Sequence, residues 1–456
     1  MNLKEKMERL EPFILTRDYP GIAAVLAPSA PIDIAAVLGE LDEDFISSVL
    51  QYLPSDITGE VLSHLEPELV PQIMRDLGDE KSAAILETMF SDDVADILGE
   101  LSVHEQNEVF ELMEDEDVED VKGLLVYPED TAGSIMTTEF VALNKNVSTE
   151  EAINILREKS PSAETVYYVY VIDDDDVLVG VLSLRDLIVT PPNWTVEHIM
   201  HTRVKYVTDY MDQEEVANLV SRYDIMAVPV VDKEHRLVGI ITVDDVLDVI
   251  QEEATEDVLR MAGVHEDELD EDESFGEKVI TSVKSRLPWL VLTLFGGILS
   301  GIIIGNLESE LQAVVALSYF IPLLCGMGGS TGTQSSTVTV RGISTGQLDA
   351  SEFFTNIFRE SCVGFIVGGF CALVLASITY VWQGSVILGL LVGLTLICNM
   401  VLAAAIGTLV PLALKKFGAD PAVASAPFIS TSIDVIGLII YSILAYLFMP
   451  LLLGIA

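Results

Sequence analysis

The chain has 456 residues, half of them hydrophobic, and carries 72 acidic against 24 basic side chains, a net charge of −48. So acidic a surface repels nucleic acid and anionic lipid and attracts cations, which excludes a nucleic-acid-binding protein. The charge is segregated: residues 1–275 hold 64 of the acids and 17 of the bases, so an acidic half precedes an apolar one.

The first residues, Met1 to Arg17, are charged throughout and lack the apolar core of a secretory signal. From Ile32 to about Val126 the pattern is wholly helical. Asp33-Ile-Ala-Ala-Val-Leu-Gly-Glu-Leu41 recurs as Asp93-Val-Ala-Asp-Ile-Leu-Gly-Glu-Leu101, and Thr58-Gly-Glu-Val-Leu-Ser-His-Leu65 reads as another copy. Short amphipathic helices at this spacing predict a small superhelix of helical hairpins, with nothing that looks catalytic. The six histidines all lie in the acidic half, and even His198 and His201 read as solvated residues.

Two segments then repeat at an offset of 59 residues. Val171 to Ile188, with Gly180, Ser183 and Asp186, matches Val230 to Leu247, with Gly239, Thr242 and Asp245. Each predicts strand, turn, strand and a helix capped by Ser183 or Thr242, preceded by helices over about Thr149–Lys159 and Gln213–Tyr223. This tandem βαββα unit resembles a CBS-domain pair. The resemblance implies an adenine-nucleotide cleft, with Asp186 or Asp245 at the ribose and Tyr168 near the base.

Asp244 to Glu273 is a continuous acidic run. Asp245, Asp248, Glu252 and Glu256 are 3, 4 and 4 apart, on one helical face. Like charges at this spacing repel by about 0.2–0.5 kcal/mol per pair, so the run is either a solvated linker helix or a surface that bound cations relieve. Asp92 and Asp96 pose the same choice.

The apolar half predicts five spans. Leu287–Leu307 is uncharged; Leu311–Val340 is uncharged but interrupted at Gly326 to Gln334; Ser361–Leu414 is too long for one span and turns at Gln383-Gly384-Ser385; Pro421–Leu453 is the last. Lys278, Lys284, Arg286, Arg341, Arg359, Lys415 and Lys416 all fall on one side if the acidic half is cytosolic and the C-terminus outside. Cys325, Cys362, Cys371 and Cys398 form no CxxC pair and read as reduced packing residues.

Asp434 is the only acid in the middle of a span, and no base lies within a span to pair with it. A carboxylate there costs about 2.5–3.5 kcal/mol unless it faces water or a partner. It is therefore either a protonated carboxyl between helices or a cation site on a water-filled path. The glycine-broken run Gly328–Thr337 supplies Ser330, Thr331, Thr333, Gln334, Ser335, Ser336 and Thr337 as candidate lining, while its glycines suit close helix packing. Asn399 fits either an interhelical hydrogen bond or the pore surface. One carboxylate among hydroxyls and carbonyls is hard-oxygen chemistry suited to Mg²⁺, Mn²⁺ or Ca²⁺, and a two-fold dimer would set two Asp434 side chains on one path.

Pro322, Gly328-Gly-Ser-Thr-Gly-Thr-Gln-Ser335, Val340-Arg-Gly342, Asp420-Pro-Ala-Val-Ala-Ser-Ala-Pro427 and Ser432-Ile-Asp-Val-Ile-Gly437 together resemble the MgtE magnesium channels. Gln213-Glu-Glu-Val-Ala217, Thr242 to Val249 and Glu253-Ala-Thr-Glu-Asp257 are similar too. The resemblance implies a multidomain membrane protein. Its parts are an all-α helical-hairpin N domain (1–130), an α/β tandem CBS pair (131–250), a long acidic connecting helix (251–280) and a five-helix transmembrane domain (281–456). It implies a homodimer with Asp434 and the Ser430 carbonyl at the selectivity site. Cytosolic Mg²⁺ ligands map onto Glu60, Asp92, Asp96, Glu214, Asp224, Asp245, Asp248, Glu253, Glu256 and Asp257, and nucleotide contacts onto Tyr168, Arg185 and Asp186. The chain departs from the family at Ser330, usually Asn, at Ala426, often Gly or Asn, and at Ile225, where relatives can place an aromatic.

The expected function is passive Mg²⁺ influx across a prokaryotic inner membrane. The pore closes when cytosolic Mg²⁺ bridges the acidic surfaces, and ATP is a candidate ligand of the CBS pair. An ion-coupled transporter of Mg²⁺, Mn²⁺ or Co²⁺ is the alternative. An enzyme is not expected, because an intramembrane aspartyl protease needs two carboxylates and no HExxH occurs.

Overall fold

The computed structural model describes residues 3–41, 43–65, 69–99, 101–113, 115–159, 163–265, 275–348 and 352–453. These divide into two compact units, Met1–Val249 and Ile250–Ala456.

The first unit opens with short helices in pairs, from Leu3–Thr16 to Asp115–Leu124, most of them eight residues long. Proline or an acid commonly opens a helix, as Pro31 and Asp33 do for Pro31–Leu38, and the following apolar residues point inward. Ser102 and Glu105 close a capping box on Val103–Phe110.

Two three-stranded sheets follow. The first orders β1 (Ala142–Asn144), β2 (Tyr168–Ile172) and β3 (Leu178–Ser183); the second orders β4 (Val207–Thr208), β5 (Ala227–Val231) and β6 (Leu237–Thr242). In each, a parallel pair joins an antiparallel hairpin, with the register irregularity at the same place, Val171/Ile172 and Val230/Val231. The hairpin turns match as well. Asp173 and Asp232 each accept two backbone N–H bonds, and Asp176 and His235 hold φ of 61° and 65°. Helices Thr149–Lys159 and Gln213–Tyr223 stand where the sequence predicts them. One core runs from the N-terminal helices (Val94, Leu98, Val121, Leu124) into the second repeat (Val207, Val216, Val228, Ile241), whereas the first repeat packs its own core. Tyr170 ties the two sheets by donating to the Ala227 carbonyl at 3.1 Å.

The acidic helix grows out of the second repeat as Val243–Ala262. It stops at Gly263, whose φ of +76° ends the helical hydrogen bonding. It is thus not one helix through to the first span, and residues 266–274 of the predicted connecting element lie outside the described residues.

Among the described residues of the second unit, five helices are long and apolar enough to cross a membrane: Lys278–Asn306, Val315–Ser344, Phe353–Gln383, Val386–Lys416 and Ala426–Leu452. Gly384, with φ +68°, and the N-cap Ser385 make the turn between the third and fourth. The polar run in the second span does not break the helix, which is continuous over Ile321–Ser344. Its hydroxyls close back onto carbonyls one turn earlier (Ser330 to Gly326, Thr331 to Met327, Thr333 to Gly329), and its glycines serve packing. A Cβ on Gly332 would come within 2.0 Å of Ile433 Cδ1, and one on Gly407 within 2.3 Å of the Gly332 carbonyl. Asn399, almost fully buried, donates to the Leu324 carbonyl at 2.7 Å, the interhelical hydrogen bond rather than a pore surface.

Candidate ion pathway and acidic cluster

Helical periodicity sorts the polar residues of the second span. Ser330, Thr333, Gln334 and Thr337 share a face and line a groove of about 740 Å³ with Cys325, Ser430 and Asp434. Ser335 and Ser336, read from sequence as lining, are buried on the opposite side, and Thr331 is not in the groove either. Ser330, Gln334 and Thr337 are exposed. Asp434 and Ser430 come from the fifth span, one helical turn apart. The groove therefore presents one carboxylate among hydroxyls and an amide, which are hard oxygen donors, beside the Cys325 thiol.

A second constellation lies in the first unit. Asp92 opens the helix Ser91–Gly99, Asp245 lies in the first turn of Val243–Ala262, and Glu164 precedes β2. One carboxylate oxygen from each lies within 4.8 Å of the other two. Glu139 positions the helix by accepting from the Ser91 N–H at 3.1 Å and the Ser91 hydroxyl at 2.8 Å. Asp245 Oδ2 accepts from the Thr242 hydroxyl at 2.6 Å. Asp92 Oδ1 and Glu164 Oε2 are buried with no hydrogen-bond partner among the described residues.

Burial, and then the neighbouring charges of Glu164, Asp93 and Asp245, push Asp92 up to about 8. Burial, and then neighbouring acids with Asp245 foremost, raise Glu164 to about 7 and Asp93 to about 6, and burial raises Asp245. Three desolvated carboxylates within reach of one another could hold a hard divalent ion, which fits the oxygen donor set.

The remaining candidate residues are dispersed. Glu60 is exposed but close enough to raise Asp93, Asp96 is exposed on the Asp92 helix, and Asp248 is exposed one turn beyond Asp245. Glu214 is half-buried at the start of Gln213–Tyr223, and Asp224 caps that helix's far end with φ 51°. In the second unit Glu253, Glu256 and Asp257 are half-buried on the end of the acidic helix. Glu256 pairs with Arg260, and Asp257 accepts from the Ser344 hydroxyl at 2.8 Å.

Sequence reasoning missed Glu164, Glu139 and Asp93 as site residues. The signal for Glu139 was the repeat itself. The bridges Val181–His201 and Thr137–Ile240 are equivalent, so Glu139 stands two residues beyond Thr137 as Arg203 stands beyond His201. At the other cleft Asp186 accepts from the Ser183 N–H at 2.9 Å and hydroxyl at 2.7 Å, and lies 3.8 Å from His201 Nε2. Tyr168 is half-buried at the start of β2 and Arg185 is exposed beside Asp186.

Residues 321–444 match the family model for the MgtE divalent cation transporter, 29–130 that for the MgtE intracellular N domain, and 132–191 and 196–252 that for CBS domains. The chain is 36% identical over 430 residues, 94% of each sequence, to the magnesium transporter MgtE of Bacillus subtilis. It belongs to the MgtE family. The MgtE of Thermus thermophilus is 42% identical over 321 residues, 70% of each sequence. A crystal structure of the cytosolic domain of the Mg²⁺ channel MgtE in complex with ATP aligns with a TM-score of 0.50 at 42% identity. It covers 53% of this chain and 98% of that one. The MgtE family is one of transporters, not enzymes, and its multidomain membrane architecture is the one described above.

Proposed function

We propose that this MgtE protein is a homodimeric Mg²⁺ channel of a prokaryotic inner membrane, with its acidic half in the cytosol, that cytosolic Mg²⁺ closes. The observation that carries the reading is Asp434, a lone in-span carboxylate opening onto a groove of hydroxyls and an amide. Mg²⁺ dehydrates reluctantly, so hydroxyl and amide oxygens that accept hydrogen bonds from its waters suit it better than a tight all-protein cage. The negative cell interior draws a divalent ion inward by about 4.6 kcal/mol per 100 mV.

What the groove exposes supports the dimer. Ser330, Gln334 and Thr337 form a polar stripe on a membrane helix, which lipid does not solvate. A two-fold axis beside the stripe sets two Asp434 carboxylates on one path and encloses the water that both need.

Closure rests on the Asp92–Glu164–Asp245 cluster, where bound Mg²⁺ replaces mutual repulsion with bridging. An ion that binds the closed arrangement better than the open one shifts the population toward it. Glu60, Asp96, Glu214, Asp224, Asp248, Glu253, Glu256 and Asp257 add to the field that gathers the ions. The cleft at Ser183–Asp186, with Tyr168 and Arg185, is the proposed ATP site. The ATP-bound relative at 42% identity supports it.

The test is Mg²⁺ flux in proteoliposomes for the native chain and Asp434→Ala. Flux is expected to fall at least about tenfold in the variant, as removing a charge-bearing ligand does. In the native chain it should decline as cytosolic-side Mg²⁺ rises. Transport that instead requires a Na⁺ or proton gradient would make this a coupled transporter.

A further inference from the structure

Ile250–Ala262, the end of the acidic helix within the second unit, carries Glu252, Glu253, Glu256 and Asp257 but a single base, Arg260. Its guanidinium serves two carboxylates at once. Nη1 donates to Asp420 Oδ2 at 2.6 Å, and Nη2 pairs with Glu256 one turn back on the same helix. Asp420 stands in the loop between the fourth and fifth spans. Its other oxygen accepts from the Ala422 N–H at 2.7 Å and caps the short turn Pro421–Val423 that leads into the Asp434 helix. Nearby, Asp257 accepts from Ser344 at the end of the second span, and the His265 N–H donates to the Ser285 hydroxyl at 2.9 Å on the first.

A guanidinium never loses its proton at physiological pH, and its planar fork can hold two carboxylates in fixed places. A divalent cation bridging the same two acids would do similar work, but only when bound. We propose that Arg260 is a built-in cation that holds the end of the acidic helix against the loop ahead of the last span without metal, and so lowers the Mg²⁺ needed for closure. The inference rests on the proposed Mg²⁺ closure for its second half only. The side chains of Arg260, Asp420 and Glu256 are 37%, 31% and 24% exposed, so the latch is a modest one that sets a threshold.

The test uses the full chain. Amide hydrogen exchange over residues 250–265 is measured in EDTA, and the Mg²⁺ concentration that half-closes the pore is read from proteoliposome flux. The variants are Arg260→Gln, Asp420→Asn, their double and Arg260→Lys. Asparagine keeps the cap on Ala422 because its amide oxygen still accepts. Each neutralising variant should speed exchange in EDTA and raise the half-closing Mg²⁺ by about fivefold. The double should add little to either single variant, and lysine should recover part. Unchanged exchange in Arg260→Gln overturns the latch. So does a half-closing Mg²⁺ that falls, since the freed acids would then be a metal site that Arg260 blocks. Should native flux ignore Mg²⁺ while the exchange contrast holds, the latch stands and the closure reading fails.

Discussion

The two CBS repeats share a backbone almost residue for residue, yet their equivalent clefts carry opposite charge. Both have a Ser/Thr-x-x-Asp cap, Ser183–Asp186 and Thr242–Asp245, and both press a glycine against a methionine, Gly180 on Met200 and Gly239 on Met136. At equivalent positions the first cleft has Arg185, His201 and Arg203 where the second has Asp244, Thr137 and Glu139. The aspartates respond accordingly. The Ser183 hydrogen bonds, with His201 and Arg185 behind them, hold Asp186 below the usual carboxylate range, whereas burial and neighbouring acids raise Asp245. The apolar core of the N-terminal helices continues into the second repeat, and Asp92 comes to its cleft. One duplicated frame thus sets bases around one aspartate and acids around the other, and the difference lies in a few charges on a shared backbone register.

The largest effect that would break this contrast is removal of the cation cluster. Asp92→Asn combined with Asp245→Asn should abolish protection of the acidic half from proteolysis by Mg²⁺, a loss of more than about tenfold in apparent affinity, while ATP binding persists. Glu139→Arg gives the second cleft the first cleft's residue. Isothermal titration should show Mg²⁺ binding weakened by about tenfold, and an unaltered affinity would mean that Glu139 only anchors Ser91.

Protons compete for the same oxygens. Carboxylates raised above their unfolded range stabilise the fold fully below about pH 4 and lose that contribution as pH rises through about 6, 7 and 8 for Asp93, Glu164 and Asp92. The metal-free acidic half should therefore open progressively from pH 5 to 8.5 by hydrogen exchange, and Mg²⁺ should suppress the change. Its Mg²⁺ affinity should rise by about tenfold or more over the upper part of that range.

Arg185→Ala should lower ATP affinity by about tenfold, the worth of one charge-assisted contact, and leave the Mg²⁺ response alone. Smallest of all, Gly180→Ala and Gly239→Ala should each cost about 1 kcal/mol in denaturant unfolding, because either Cβ meets a methionine Sδ at 2.6 Å. Unequal costs would show that the shared backbone is less alike than its register.

Much of this was legible without coordinates because it is local. The 59-residue offset, the two caps, the helix Thr149–Lys159 and the turn at Gly384-Ser385 all depend on residues close in the chain. The run Gly328–Thr337 was legible only in part. Composition marked it as polar, but which hydroxyls face the groove depends on where the fourth and fifth spans pack, and Gly332 against Ile433 fixes that. Serine and threonine can also satisfy themselves within a helix, so a hydroxyl-rich glycine run need not interrupt one.

By itself the sequence determined the segregation of charge, the five apolar spans and the lone carboxylate at Asp434, since hydropathy and charge are properties of short segments. It also determined the tandem repeat. Only the tertiary structure decided that Asp92, Glu164 and Asp245 meet, that Asn399 bonds to Leu324, and that Arg260 spans Glu256 and Asp420. Apart from Glu256, one turn from Arg260, these partners lie far apart in the chain, and their energies come from desolvation and direct contact. Such terms exist only once burial has brought the partners together.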